Sequence, residues 1–371
     1  MIDDGPARSD GLTLITGGTG AVGRPLAEAL AADRLPVLVL ARRPGESPVD
    51  FVRGDVLEAG TLGMPPEVAA VVRARVTTIV HAAALTRFDA PLEMSRRVNV
   101  EGTRHLLGFA SSCPRLQRLS VLSTIYVAGR RTGTVLETEL DHGCGFVNGY
   151  EQSKYEAEQL VRDWMPRLPI AVCRLSTVLG DWATGRVRQM AAIHHAVRFL
   201  YHSLLPMIPG TPDSPVDLIS TDYAVAALRH LSGPGFRAGT TFHVCAGLDT
   251  VSEVELIDLA VDAFLRYRPA WRRRAIEKPM VVPLETFELF RQSVDAIADQ
   301  ALRTPVAVLS QFAPQLAFPK RFDDRACRSA LAEAAVGRPS IHETVDRVVR
   351  YLIEHNWSAA AHRDDGPSIR E

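Results

Sequence analysis

The run LTLIT at residues 12–16 stops at the glycine-rich turn GGTGAVG, and AVGRPLAEALAADR then takes up helical spacing. Strand, glycine turn and helix follow one another without a spare residue. The alternation returns along the first half of the chain. PVLVLA (36–41), FVRGD (51–55), TTIVHAA (77–83), RLSVLST (118–124) and IAVCRL (170–175) have strand character, with helices around VNVEGTRHLLGFA (98–110) and after Tyr150. Strands interleaved with helices in this way imply a parallel sheet covered on both faces, so an α/β protein is expected.

Gly17, Gly20 and Gly23 give the turn the spacing Gly-x-x-Gly-x-x-Gly. A tight turn, close backbone approach to a pyrophosphate and close helix-on-strand packing all demand glycine there, with phosphates at the positive helix N-terminus. Dinucleotide contacts are therefore expected along Thr16, Gly17, Gly18, Thr19, Gly20, Ala21, Val22 and Gly23. After the second strand come Arg42 and Arg43, and no acidic residue occurs until Glu46. Arginine accommodates the 2′-phosphate of NADP where an acid would bind the ribose of NAD, so NADP (NADPH) is the expected cofactor, with Arg43 equally readable as a solvated loop charge. Asp55, followed by Val56, either binds the adenine amino group or caps the next helix.

A chain of 371 residues with 46% hydrophobic and 23% charged residues holds one large or two closely joined domains. Its formal net charge of −1 offers no field for nucleic acid. Five scattered cysteines, Cys113, Cys144, Cys173, Cys245 and Cys327, follow neither a disulfide nor a zinc pattern, and suggest a reduced, cytoplasmic protein. MIDDGPARSDGL lacks the apolar core of a signal peptide, and no stretch approaches the ~18 apolar residues of a membrane span.

Six landmarks, TGGTGAVG, GDV (54–56), HAAA (81–84), NVEGT (99–103), STIYVAG (123–129) and YEQSK (150–154), stand in the order and at the spacing of the extended short-chain dehydrogenase/reductase family, which the chain resembles. NVEGTRHLL, LSTIYVAG, NGYEQSKYEAEQLV with LPIAVCRLSTVLGDWATG, and more loosely FPKRFDDRACRSAL, narrow the resemblance to the fatty acyl reductase and thioester reductase branch. It implies a Rossmann-type doubly wound sheet with a smaller, mainly helical C-terminal substrate domain. The expected bounds are 10–185 plus 216–235 for the cofactor domain and 186–215 plus 236–360 for the substrate region, with tails at 1–9 and 361–371. Further cofactor contacts are expected at His81, Ala82, Ala83 and Ala84, and at Lys154, Leu175 and Val178. Leu175 stands where the family usually has proline, which leaves the backbone there open.

Carbonyl reduction by a hydride leaves negative charge on oxygen, which calls for a proton at that moment. A phenol is too weak an acid unless a cation stabilises its anion, and Lys154 lies one helical turn from Tyr150. In the resembling family the tyrosine is the acid/base, and the lysine also holds the nicotinamide ribose. The resembling family's catalytic hydroxyl lies five residues before the glycine, here Gly129, which implies Thr124 as the third catalytic residue, with Ser123 as the alternative. Asn99 corresponds to a position that supports the active-site helix and a proton relay, a structural role serving equally well. His81 is expected to pack beside the cofactor, and His194-His195 to be packing or surface residues rather than metal ligands.

The apolar stretch 190–210 and MVVPLETFELF (280–290) suit an acyl channel, a plain core or a dimer seam. The expected activity is NADPH-dependent reduction of an apolar acyl thioester, on coenzyme A or a carrier protein, to aldehyde or alcohol, with substrate arriving in trans. A ketone or alcohol dehydrogenase shares the same triad. A sugar-nucleotide epimerase fits the apolar region poorly, and a non-catalytic NADP sensor would not need both Tyr150 and Lys154.

Overall fold

The computed structural model describes residues 11–43, 48–273, 278–296 and 300–359. The expected tails at 1–9 and 361–371, and Glu46, lie outside the described residues. Seven strands make one parallel sheet: β1 (Leu12–Thr16), β2 (Val37–Ala41), β3 (Asp50–Arg53), β4 (Val76–His81), β5 (Arg118–Thr124), β7 (Ile170–Leu175) and β12 (Thr241–Val244). Their order is β12-β7-β5-β4-β1-β2-β3. The chain starts at β1 and winds outward in both directions, which opens a crevice beyond the carboxyl ends of β1 and β4. Four two-stranded pairs decorate this frame. They join β6 (Gly133–Val135) to β15 (Lys320–Phe322), β8 (Thr177–Val178) to β11 (Leu218–Ile219), β9 (Met207–Pro209) to β14 (Met280–Val282), and β10 (Pro215–Val216) to β13 (Val251–Ser252).

Successive strand side chains part to opposite faces. Ile15, Val39, Val80 and Cys173 pack with α1 (Gly23–Ala32), α7 (Thr221–Leu231) and α11 (Arg325–Ala332), whereas Leu14, Leu40, Ile79 and Val172 pack with α2 (Pro66–Arg75), α4 (Gly102–Ser111) and α5 (Gly149–Trp164). Each buried leucine or valine side chain contributes roughly 1.5–3 kcal/mol. A short helix, α3 (Leu92–Arg96), precedes a π-helical turn over Arg97–Glu101.

The remaining helices, α6 (Ala192–Tyr201), α8 (Glu253–Tyr267), α9 (Leu284–Ala296), α10 (Gln300–Leu309) and α12 (Ile341–Glu354), gather around a second core that includes Val197, Leu200, Phe264, Trp271, Phe287, Leu352 and Trp357. Of the three uses left open for the apolar stretches, packing takes Val197, Leu200, Leu205, Ile208 and Phe287 into this core. Met280 and Leu289 stay 60% and 65% exposed, so the second stretch is not wholly consumed by it.

The expected bounds need one correction. β12 and α11 fall within 236–360, yet β12 pairs with β7 in the main sheet, and Cys327, Ala330 and Leu331 of α11 pack on the sheet core. Phe242 and Val244 are buried where β12 extends that sheet. Leu175 brings no break either: the β7 ladder runs through it, opposite Thr124 on β5 and Val244 on β12.

Candidate active site

Two elements bring the hydroxyls together. Thr124 ends β5 and caps the 3-10 turn Ile125–Ala128, its Oγ1 accepting from the Tyr126 backbone N–H at 3.2 Å. Asn148 caps α5, its Oδ1 accepting from the Glu151 N–H at 3.0 Å, which fixes Tyr150 in the first turn. Thr124 is near enough to the Tyr150 phenol to pull its pKa down. Phe88 packs against the tyrosine ring with centroids 5.4 Å apart, and Phe312 stacks behind Phe88 at 6.5 Å.

Ser123 does not join them. Adjacent strand residues face opposite ways, and Ser123 Oγ donates to Glu158 Oε2 at 2.8 Å on the far side of β5. Glu158 in turn accepts both Nε (2.9 Å) and Nη2 (2.6 Å) of Arg174, each side chain 1% exposed. Arg174 Nη1 donates to His243 Nε2 at 3.0 Å, so the ring carries its proton on Nδ1 and gives it to the Asp323 carbonyl.

Lys154 Nζ donates to the Leu122 carbonyl at 2.8 Å. Burial pulls its ammonium down to about 8, with Glu158 holding it up. Burial pushes the Tyr150 phenol up, Thr124 pulls it down, and Tyr126 and Glu151 push it further up. Lys154 is not among the groups that shift Tyr150, so the acidification expected of a lysine one turn away is not seen and desolvation dominates. Tyr126, whose Oη meets Thr177 Oγ1 at 2.8 Å, is itself pushed up to about 12 by burial.

Asn99 lies in the π-helical turn with its amide fully used. Its Oδ1 accepts from Leu85 N–H (2.7 Å), and its Nδ2 donates to the Leu85 carbonyl (3.0 Å) and to Ser153 Oγ (2.9 Å). Ser153 Oγ donates to the Tyr150 carbonyl at 2.8 Å, so Asn99 stitches the loop after β4 to the tyrosine helix.

On the cofactor side, Gly17 has φ of +70°, and a Cβ there would overlap the Ala82–Ala83 backbone; a Cβ on Gly23 would overlap the Gly17 carbonyl. The turn thus lies flat against the N-terminus of α1, a cradle that fits a dinucleotide pyrophosphate. Thr19 is exposed, and Gly20, Ala21 and Val22 are partly buried. Thr16 and His81 face inward instead. Thr16 Oγ1 lies 2.7 Å from His81 Nδ1, and His81 Nε2 lies 3.1 Å from Thr103 Oγ1. Thr103 donates to the Asn99 carbonyl, so it accepts from His81, whose Nδ1 accepts from Thr16. Burial and Lys154 push that imidazole down to about 3, so it is neutral. Ala82, Ala83, Ala84, Leu175 and Val178 are partly buried around the crevice. Gly18 and Val56 are buried, and the Val56 carbonyl accepts from His105.

Arg42 and Arg43 are both exposed beyond β2. Asp55 is not a helix cap: its Oδ1 accepts from Leu57 N–H at 3.0 Å, closing a local turn, and α2 begins only at Pro66. His194 spends both ring nitrogens on backbone, accepting from Ala191 N–H (2.8 Å) and donating to the Leu179 carbonyl (2.6 Å).

Phe88, Phe312, Tyr126, Glu151 and Lys320 belong to this neighbourhood without having been singled out from the sequence. Tyr126 stood inside a quoted motif, but nothing in its spacing gave its direction. Phe312 and Lys320 reach the site from more than 150 residues along the chain, and no local pattern marks them.

A family model described as male sterility protein matches residues 44–228. The non-canonical nonribosomal peptide synthetase cpsA of Aspergillus campestris is 28% identical over 301 residues, which is 69% of this chain and 27% of that protein. Fatty acyl-CoA reductase 2, chloroplastic, of Arabidopsis thaliana is 29% identical over 92 residues, 25% of this chain and 15% of that one. The chain spans about a quarter or less of the peptide synthetases it matches. Among solved structures, the terminal R domain from the myxalamid PKS-NRPS biosynthetic pathway superposes with a TM-score of 0.77 at 23% identity, covering 95% of this chain and 93% of that one. Among the described residues no helix is long and apolar enough to cross a membrane.

Proposed function

We propose, for a chain that belongs to the extended short-chain dehydrogenase/reductase family in its fatty acyl and thioester reductase branch, that it reduces an apolar acyl thioester on coenzyme A or a carrier protein, using NADPH. It is an NAD(P)-dependent oxidoreductase; the thioester and the phosphorylated cofactor are our reading. The observation that carries it is the Thr124–Tyr150 hydroxyl pair, set on Phe88 and backed by buried Lys154. Two hydroxyls at one point suit a single carbonyl oxygen, and the aromatic flank suits an apolar acyl group. Arg42 and Arg43, exposed after β2, are the residues to hold a 2′-phosphate.

When bound, the reduced nicotinamide supplies a hydride to the thioester carbonyl carbon. Thr124 and Tyr150 hold the carbonyl oxygen, and Tyr150 passes its phenolic proton there as negative charge develops. Lys154 stabilises the phenolate left behind. The resulting hemithioacetal loses its thiol by C–S cleavage, with the hydroxyl proton going to sulfur, and the aldehyde remains. Asn99 and Ser153 keep the tyrosine helix in register throughout.

The test follows NADPH absorbance with medium- and long-chain acyl-coenzyme A thioesters, matched aldehydes and bulky ketones, with Tyr150→Phe as control. Oxidation that depends on thioester and disappears in the control is the expected result. Turnover with ketones alone would instead make this a carbonyl reductase.

A further inference from the structure

Glu151 immediately follows Tyr150, yet it is 1% exposed. Its Oε2 accepts from Val147 N–H at 3.0 Å and its Oε1 from Asn148 Nδ2 at 3.2 Å. Lys320 on β15 is also buried, 8% exposed, and its Nζ donates to the Gly129 carbonyl at 2.8 Å and to Gln315 Oε1 at 2.7 Å. Gly129 closes the turn that Thr124 opens. The same C-terminal segment grips α5 directly, because Asn148 Nδ2 also donates to the Gln311 carbonyl at 3.1 Å. One stretch, 311–320, thus holds both the turn bearing Thr124 and the helix start bearing Tyr150.

We propose that buried Lys320, through the Gly129 carbonyl and Gln315, and buried Glu151, at the start of α5, together position the Thr124 turn against the Tyr150 helix, and that the site responds to the charge on Glu151 beside Tyr150. This rests on the reading of Tyr150 as proton donor. The two side chains make no direct ion pair and act on one another through a low-dielectric interior, where charges are felt at longer range. Burial pushes the Glu151 carboxyl up to about 7, with the Val147 N–H, Gln315, Lys320 and Arg130 pulling it back in that order, and burial pulls the Lys320 ammonium down to about 8, with Glu151 holding it up. The groups on which Glu151 acts in turn are Tyr126 and Tyr150, both pushed upward by its charge. Ionised Glu151 therefore makes Tyr150 a weaker acid, and protonated Glu151 a stronger one. Neither residue touches the reacting atoms, so both are positioning residues.

The experiment compares wild type, Glu151→Gln, Lys320→Met and the double variant. It reads kcat and KM against pH from about 5 to 9, the melting temperature over the same range, and NADPH affinity by fluorescence. In wild type, kcat steps down as pH rises through the Glu151 transition. That step is absent in Glu151→Gln and moves to higher pH in Lys320→Met, where the stabilising cation is gone. KM for NADPH and NADPH affinity stay within about twofold, because the couple lies outside the phosphate cradle. The double variant, which leaves no lone buried charge, serves if Lys320→Met fails to fold, and it too lacks the step.

The melting temperature gives an arm independent of turnover. A carboxyl whose folded value is raised above its unfolded one stabilises below the unfolded value and loses that contribution as pH rises through the folded value. The melting temperature of Glu151→Gln should therefore gain on wild type between about pH 5 and 7. Superimposable pH profiles for wild type and Glu151→Gln, or a constant difference in melting temperature, would overturn the couple. An unchanged rate in Tyr150→Phe would instead overturn the functional reading beneath it.

Discussion

Two buried glutamates on α5 lie seven residues apart, near enough to two turns to share one side of the helix, and their surroundings could hardly differ more. Glu158 sits under the sheet, doubly bonded to Arg174 and accepting from Ser123. Glu151 sits at the helix start beside Tyr150, held by one backbone N–H and one amide, with its cations out of direct contact. The first arrangement leaves no freedom: a desolvated carboxylate matched by a planar guanidinium that is itself matched by His243. The second leaves a group that changes charge near neutral pH, next to the phenol whose acidity matters. Burial is common to both, so partner geometry decides whether a buried acid is locked against a cation or left with none in contact.

Breaking the riveted end gives the largest expected effect. Arg174→Met strands Glu158 and should cost about 3–5 kcal/mol in urea unfolding, whereas Arg174→Met with Glu158→Leu should recover most of it. If the single variant unfolds like wild type, the pair is not what holds this side of the helix. At the chemical end, Tyr150→Phe should lower kcat by about 10²–10⁴-fold while unfolding stays nearly unchanged, so a large loss of stability would erase the distinction between the ends. The adjacent hydroxyls sharpen it further. Ser123→Ala removes a hydrogen bond to a buried charge and should cost about 1.5–3 kcal/mol of stability at near-normal kcat. Thr124→Val should do the reverse, lowering kcat about tenfold with a smaller change in stability. Swapped outcomes would mean that Ser123, not Thr124, faces the substrate.

The sheet half of the molecule was legible because its signals are local. LTLIT, the glycine turn and the following helix touch one another within 25 residues, and Tyr150 and Lys154 are neighbours on one helix whatever surrounds it. The Leu175 departure was visible as well, but its consequence was not. A strand flanked on both sides has no need to bend there, and only β12 supplies the second flank. That strand and α11 return to the sheet after long excursions, which periodicity cannot register. Nothing local marks Glu151 as buried, because the groups that act on it, Gln315 and Lys320, come from the far end of the chain. Motif spacing favoured Thr124 with Ser123 as the alternative, and the pleat of β5 turns the two hydroxyls to opposite faces.

Thioester reduction at Tyr150, as proposed, would release a free thiol. Its most direct test counts free thiol released from an acyl-coenzyme A against NADPH oxidised, in wild type and Tyr150→Phe. Thiol release should require NADPH, with at least one NADPH consumed per thiol, and both signals should be lost in the variant. Thiol release without NADPH, or NADPH oxidation without thiol release, would contradict it.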